Sequence, residues 1–191
     1  MTARTPGTRV ERHPRIETGA QRARRVAALT TGVAAVAMAI YQVVTPGGPT
    51  ATYESWSDFL REFLLLTYLT GSIAAMWAVW RTGLAPRSAF LLVTVGYALL
   101  TVGVAIGLLL REDPEWFFVL GGPGLLLSGV GFLVFGVTAR RRNPLPLWAA
   151  LLAVVGGFFA LLLAEVGTTV LIGSFWLYVG TALRPSGEGT T

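Results

Sequence analysis

The chain has 191 residues, of which 53% are hydrophobic and only 13% are charged. Because an ordinary soluble domain carries about 25% charged residues, this composition excludes most soluble folds and indicates a membrane protein. The net charge is +5, and all fifteen basic residues are arginines that separate apolar segments. Such a distribution does not form one basic surface, so we expect no nucleic-acid partner. The absence of cysteine excludes disulfides and thiolate chemistry.

Six apolar segments predict an all-α fold, a polytopic bundle of six transmembrane helices. The polar residues 1–25 lack apolar periodicity and are expected to form a disordered, basic cytoplasmic tail. The first four apolar segments each have roughly the 20 residues that cross a bilayer. The predicted membrane domain covers residues 26–184, with spans 26–44, 59–80, 88–110, 116–138, 146–164 and 168–183, and residues 185–191 form a short tail.

The last apolar run, from Leu147 to Leu183, is too long to cross the membrane once. A single helix of that length, at ~1.5 Å per residue, would measure roughly 55 Å. We therefore predict that the chain reverses at Glu165 to Gly167, where Gly167 is suited to ending a helix. Glu165 is then expected at an outer turn in contact with water. The alternative is a carboxylate buried in the membrane, which would be a candidate functional group.

The arginines predict that both termini are cytoplasmic, because short cytoplasmic loops retain basic residues. In that orientation only Arg61 and Arg111 lie outside. The outer segments then collect an acidic face, which comprises Glu54, Asp58, Glu112, Asp113, Glu115 and Glu165. A divalent cation is one ligand for such a face, but we expect a solvated surface and predict no metal, cofactor or catalytic site.

Anionic membrane lipids are the expected partners of the inner arginines, because each basic residue near the surface contributes up to about 1 kcal/mol. The arginines concerned are Arg22, Arg24, Arg25, Arg140, Arg141 and Arg142. The expected location is a bacterial cytoplasmic membrane.

A cleaved signal is an alternative interpretation of the first span, since Ala37-Met38-Ala39 resembles a processing site. Cleavage there would remove residues 1–39 and leave five helices.

Small and special residues predict how the helices pack. Small residues four apart, such as Gly103 and Gly107, predict close contacts within the bundle, with a homodimer face as the alternative. The run Gly121, Gly122, Pro123, Gly124 predicts a kink or break in the fourth helix, of the kind that often borders a cavity.

Two further patterns concern the second, third and fifth helices. Ser55 precedes Asp58 by three residues, the spacing of a capping box, so the second helix should begin here. At an offset of 60 residues, Gly96 of the third helix matches Gly156 of the fifth. We weigh a duplicated two-helix hairpin against the chance similarity of apolar segments.

The segments Asn143 to Gly157 and Trp176 to Ser186 resemble those of small multi-pass bacterial integral membrane proteins of unassigned function. The layout is also similar to the substrate-binding subunits of energy-coupling-factor vitamin transporters. Those subunits have six helices with both ends inside, and a small-xxx-small pattern in the first helix docks the transporter's membrane subunit. The resemblance implies that role for Ala35 and Ala39.

The sequence predicts a non-enzymatic binding or interaction module whose partner is a membrane protein, a lipid or a small molecule. The alternative is a transport subunit that captures a small solute from the outer side. A weaker alternative is a lipid-modifying enzyme that uses Glu54, Asp58 and Glu112. That chemistry lacks a partnered histidine or a set of basic residues.

Overall fold

The computed structural model describes residues 19–44, 55–112, 116–142, 146–162 and 168–181. These ranges are helical apart from short turns, and their helices are α1 (Gly19–Val44), α2 (Trp56–Arg81), α3 (Arg87–Leu110), α4 (Phe117–Arg142), α5 (Leu147–Leu162) and α6 (Thr169–Thr181). Helices α1 to α4 are long and apolar enough to cross a membrane, and α5 and α6 are shorter apolar helices. The all-α class is therefore confirmed, with four helices of membrane-spanning length.

Several helices extend past the predicted spans. Helix α1 begins at Gly19, so residues 19–25, expected in the disordered tail, are instead helical, and residues 1–18 lie outside the described part of the chain. Helix α4 continues to Arg142, beyond the predicted end at residue 138. The physical reason is that the thickness of the bilayer limits the length of the apolar segment, whereas the helix itself can continue into the water on either side. Arginine and glutamine favour helix, so the hydrogen-bonded turns continue past the apolar residues.

The long apolar run folds back on itself, as predicted. Helix α5 ends at Leu162 and α6 begins at Thr169. The Thr168 hydroxyl donates to the Phe159 carbonyl at 2.8 Å, and the rings of Trp148 and Tyr178 lie 4.6 Å apart toward the other end of the pair. These contacts make α5 and α6 antiparallel. Glu165 lies outside the described residues, so its position at an outer turn stays a prediction.

The six helices close into a ring. Each helix packs against its neighbours in the sequence, and α6 packs against α1. At one end the Tyr41 hydroxyl of α1 donates to the Ser57 carbonyl of α2 at 2.8 Å. Gly32 of α1 meets Leu177 of α6, and Gly180 of α6 meets Leu29 of α1. Neighbouring helices are therefore antiparallel, so α1, α3 and α5 start at the end of the bundle where α2, α4 and α6 finish.

Small residues form the closest interhelical contacts, which confirms packing within the chain at these positions. A Cβ atom on Gly103, one of the predicted positions, would lie 2.7 Å from Phe117 of α4, and one on Gly173 would lie 3.1 Å from Ala35 of α1. Ala35 and Ala39 are both buried inside the bundle. The transporter resemblance implied that Ala35 and Ala39 form a docking face. In this structure both residues face other helices of the same chain, so they do not form an exposed docking face.

Large apolar side chains cover the outer surface of the ring. Every helix has at least one side chain of this kind with 41% or more of its area exposed, for example Val33, Phe63, Val102, Leu126, Leu151 and Val170. Soluble monomers rarely expose contiguous apolar patches larger than a few hundred Å². The apolar outer surface is therefore what a membrane-spanning bundle needs, and it covers α5 and α6 as well as the four long helices α1 to α4.

Positions of α3 and α5 that are related by the offset of 60 residues have the same burial in the bundle. Gly96 and its counterpart Gly156 are buried, whereas Leu91 and Leu151, also 60 residues apart, are exposed. Gly96 packs against α4 and Gly156 packs against Ile172 of α6. The two hairpins α3–α4 and α5–α6 therefore use the same face of their first helix, which supports the repeat. Duplication itself stays a prediction.

Candidate functional site: a hydroxyl cluster between α2 and α3

Aromatic side chains from four helices meet inside the ring. Tyr68 of α2, Tyr97 of α3, Phe132 of α4 and Trp176 of α6 are at most 1% exposed. The centre of the Tyr97 ring lies 6.0 Å from that of Phe132, which lies 6.0 Å from that of Trp176. Tyr97 therefore joins the apolar aromatic centre to the contact between α2 and α3.

That contact contains a hydroxyl cluster, formed by Tyr68, Ser72 and Tyr97. The two tyrosine hydroxyl oxygens are 2.6 Å apart. Ser72 follows Tyr68 by one turn on the same face of α2, and its buried hydroxyl interacts with both tyrosines. Neither contact has the distance and angle of a well-formed hydrogen bond. Since only one tyrosine donates to the other, the cluster keeps donors and acceptors that these contacts leave unused.

Two threonines extend this polar contact along α3. Thr94 and Thr101 precede and follow Tyr97 by about one turn on the same face of the helix. Their hydroxyl oxygens are buried and have no hydrogen-bond partner within the described chain. A helical threonine often bonds to its own backbone, as Thr31 does to the Ala27 carbonyl at 2.7 Å. The polar face of α3 therefore spans roughly 10 Å along the helix axis.

The chemistry of these groups favours an uncharged polar ligand. Hydroxyls both donate and accept hydrogen bonds but bring no net charge. A buried polar group without a partner costs about 1–3 kcal/mol, so each of them has to be explained in a native structure. A small solute that donates to Ser72 and accepts from a tyrosine would recover part of that cost.

A buried ion pair lies nearer one end of α2. The Glu62 carboxylate accepts from Arg61 Nε at 2.9 Å and from Nη2 at 2.8 Å, and Glu62 is only 6% exposed. Glu62 precedes Trp80 by eighteen residues, or about five turns, so both lie on one side of α2. Trp80 stacks on Phe90 of α3 at 4.7 Å. The charged pair itself lies near the start of α2, at the opposite end of the helix from Trp80.

The predicted acidic face is only partly within the described residues. Asp58 and Glu112 lie at the end of the bundle where α2 starts and α3 finishes. The Asp58 carboxylate accepts from the backbone N–H and the hydroxyl of Ser55, at 3.0 Å and 2.7 Å, and this capping box confirms the predicted start of α2. Within the described ranges no three acidic or histidine side chains are grouped to hold a metal ion. The remaining members, Glu54, Asp113, Glu115 and Glu165, lie outside these ranges.

The run Gly121 to Gly124 forms a helix contact. Helix α4 continues through it without interruption within residues 117–142, with Pro123 inside the helix. A Cβ atom on Gly124 would lie 2.8 Å from the Gly96 carbonyl oxygen. Gly124 brings the backbones of α3 and α4 together, away from the face of α3 that bears Thr94 and Thr101, whereas Gly121 faces Phe117 of its own helix and a Cβ atom on Gly122 would have no neighbour within 4 Å. The kink stays a prediction.

Most basic side chains lie at the end of the bundle opposite the acidic ones, and within the described residues only Arg61 and Arg111 share the acidic end. The antiparallel ring brings Arg22 and Arg25 at the start of α1 to the same end as Arg140 and Arg141 at the finish of α4, together with Arg81. The acidic residues within the described ranges all lie at the other end, and they are Asp58, Glu62 and Glu112. We refer to these as the arginine end and the acidic end.

Comparison with models of known families, with curated proteins and with solved structures finds no match for this chain. The fold and the site alone therefore define its class. They define an all-helical bundle with helices of membrane-spanning length and a hydroxyl cluster in its interior.

Proposed function

We propose that this protein is a six-span integral membrane protein of a bacterial cytoplasmic membrane with both termini in the cytoplasm. The apolar outer surface on all six helices supports six spans, including the shorter α5 and α6. The separation of charge supports the orientation, because basic residues accumulate on the cytoplasmic side. In this orientation the arginine end contacts anionic lipids and the acidic end faces outward.

Within that membrane the protein acts as a non-enzymatic binding module, and its ligand is a small, uncharged polar solute held by the hydroxyl cluster. The main support is the fully buried cluster of three hydroxyls, in which Tyr68 and Tyr97 hydrogen-bond to each other and Ser72 lies close to both without a well-formed hydrogen bond. The ligand enters by separation of α2 from α3, since side chains rather than backbone atoms form that contact at Tyr68 and Tyr97.

A transport subunit that captures its solute from outside is the second candidate. The Arg61–Glu62 pair favours it, because an ionisable pair that is largely buried in a membrane domain marks a functional pathway by default. The pair lies on the acidic-end side of the hydroxyl cluster along α2, where a solute from outside would arrive first. The two candidates share one binding site and differ in whether the solute is delivered across the membrane.

Native mass spectrometry of the protein extracted from its own membrane in mild detergent tests the binding proposal. We expect one small-molecule adduct of defined mass, retained by wild type and lost in Tyr97→Phe, because the variant removes one hydroxyl from the cluster. Tyr178→Phe is the matched control, since Tyr178 packs on Trp148 of α5, away from the cluster, and should keep the adduct.

An adduct that survives Tyr97→Phe would contradict the hydroxyl-cluster site, and a wild-type chain without any small-molecule adduct would contradict solute binding. A co-purifying protein subunit in place of the adduct would identify an interaction module. Uptake of the identified molecule into cells that express the protein, measured against cells that lack it, separates the transport subunit from a module that only binds.

A further inference from the structure

A groove lies on the outer surface of the bundle where α1 starts and α2 finishes. It has a volume of about 410 Å³ and is lined by Gly19, Ala23, Trp77 and Arg81. Gly19 and Ala23 contribute almost no side-chain volume, so the space between the two helices stays open along about one turn. The groove therefore extends from the arginine end toward the apolar belt.

Two tryptophans hold the guanidinium group of Arg81. Its central carbon lies 5.3 Å from the centre of the Trp77 ring and 5.8 Å from that of Trp80. Cation–π contacts of this kind fix the plane of a guanidinium group without using its N–H donors. Those donors stay available to an oxyanion, and Arg favours phosphate because its planar fork can form two parallel hydrogen bonds.

The surroundings of the groove select a negatively charged ligand with an apolar part. The exposed arginines Arg22 and Arg25 lie near it on α1, and every acidic residue within the described ranges lies at the opposite end. Trp77 precedes Arg81 by one turn, is 43% exposed and continues the groove toward the apolar belt. Tryptophan is enriched at the level of the lipid headgroups, which places Arg81 at that level.

We propose that this groove is a binding site for an anionic phospholipid, with the headgroup phosphate on Arg81 and the start of an acyl chain along Trp77 and Ala23. The proposal rests on the membrane placement given above but not on the hydroxyl cluster. The site differs from general attraction of arginines to a charged surface, because it requires both the guanidinium group of Arg81 and the open space beside Ala23.

Lipid binding by the purified, delipidated full chain tests this site. Native mass spectrometry in micelles with equal amounts of phosphatidylglycerol and phosphatidylcholine should show one phosphatidylglycerol bound preferentially. Arg81→Gln should lower its affinity about tenfold, because hydrogen bonds between a guanidinium group and a phosphate contribute more than diffuse attraction, and Ala23→Leu should lower it by filling the groove. Arg87→Gln is the matched control, because Arg87 is an exposed arginine at the same end that does not line the groove.

Equal losses in Arg81→Gln and Arg87→Gln would overturn the proposal in favour of diffuse attraction, as would unchanged binding in Ala23→Leu. Displacement of the lipid by excess inorganic phosphate alone would identify a free-anion site instead. All three substitutions are at exposed positions, and a thermal unfolding curve that matches wild type verifies that each variant is folded. Failure here does not change the expected result of the other test, an adduct retained by wild type and lost in Tyr97→Phe, so the two proposals fail separately.

Discussion

Helix α3 approaches α4 with its backbone at one position, whereas its contacts with α2 are made by side chains. On the α4 side, Gly96 lies so close to Gly124 that an added Cβ atom would be 2.5 Å from the Gly124 carbonyl oxygen. On the α2 side, the Tyr68 and Tyr97 hydroxyls meet, and Trp80 stacks on Phe90. Backbone contacts have no alternative arrangement, whereas side chains change rotamer and partner. The α3–α4 hairpin is therefore the more fixed half of the site, and α2 is the more adjustable half.

The largest expected effect comes from the α4 side. Gly96→Leu places a side chain against the Gly124 carbonyl and the Ser128 backbone nitrogen, neither of which can move without displacing α4. Overpacking typically costs about 1–3 kcal/mol and more where the backbone must shift, so we expect little folded protein in size-exclusion chromatography. Ala98→Leu adds the same side chain at an exposed position of α3 and should elute as wild type. Normal elution of Gly96→Leu would contradict the close backbone contact.

A smaller loss is expected at the ion pair near the acidic end. Glu62→Gln removes the charge that pairs with the Arg61 guanidinium group and should lower stability by up to about 3 kcal/mol, because breaking an ion pair is costly in a largely buried site. Glu112→Gln, at an exposed carboxylate of the same end, should have almost no effect. The double variant Arg61→Gln, Glu62→Gln should recover most of the loss in urea unfolding. No recovery would show that Glu62 acts through other contacts than Arg61.

The smallest effect is expected at Ser72, on the α2 side. Ser72→Ala removes a buried hydroxyl that makes no hydrogen bond within the described residues, so ligand-free stability should stay the same or rise by up to about 1 kcal/mol. Thermal unfolding of both variants against wild type measures this. Thr31→Val removes a hydroxyl that donates to the Ala27 carbonyl and should lower the unfolding temperature. A clear loss in Ser72→Ala would mean that Ser72 is already satisfied, which would remove the main support for the ligand site.

The number of helices and the reversal of the last apolar run were predictable, because both follow from lengths. About 20 apolar residues fit one crossing, and the run from Leu147 to Leu183 holds too many for one. The start of α2 was predictable from local chemistry, since a capping box requires only Ser55 and Asp58 at the right spacing. The extension of α1 back to Gly19 was not predictable in this way. The apolar residues show which part of the helix fits the membrane, but they do not show where the hydrogen-bonded turns begin.

The candidate site was not predicted, because membrane helices carry apolar residues on all sides and the pattern does not show which side turns inward. Tyr68 and Ser72 share a face of α2, and Thr94, Tyr97 and Thr101 share a face of α3, which was the available signal. Only the pairing of α2 with α3 joins these two faces. The run Gly121 to Gly124 was predicted to kink or break α4. In the structure, Gly124 brings the backbones of α3 and α4 together.

The closure of the ring between α1 and α6 has a consequence for biosynthesis. The ribosome makes α1 first and its partner α6 last, and at ~5–20 residues per second roughly 7 to 27 seconds separate their completion. During that interval the α1 surface around Gly32 and Ala35 has no helix to cover it, and Trp176 has not yet been made. A nascent chain of five helices is therefore an open arc that lipid or an insertion chaperone has to cover, and the final hairpin completes the enclosure of the aromatic centre.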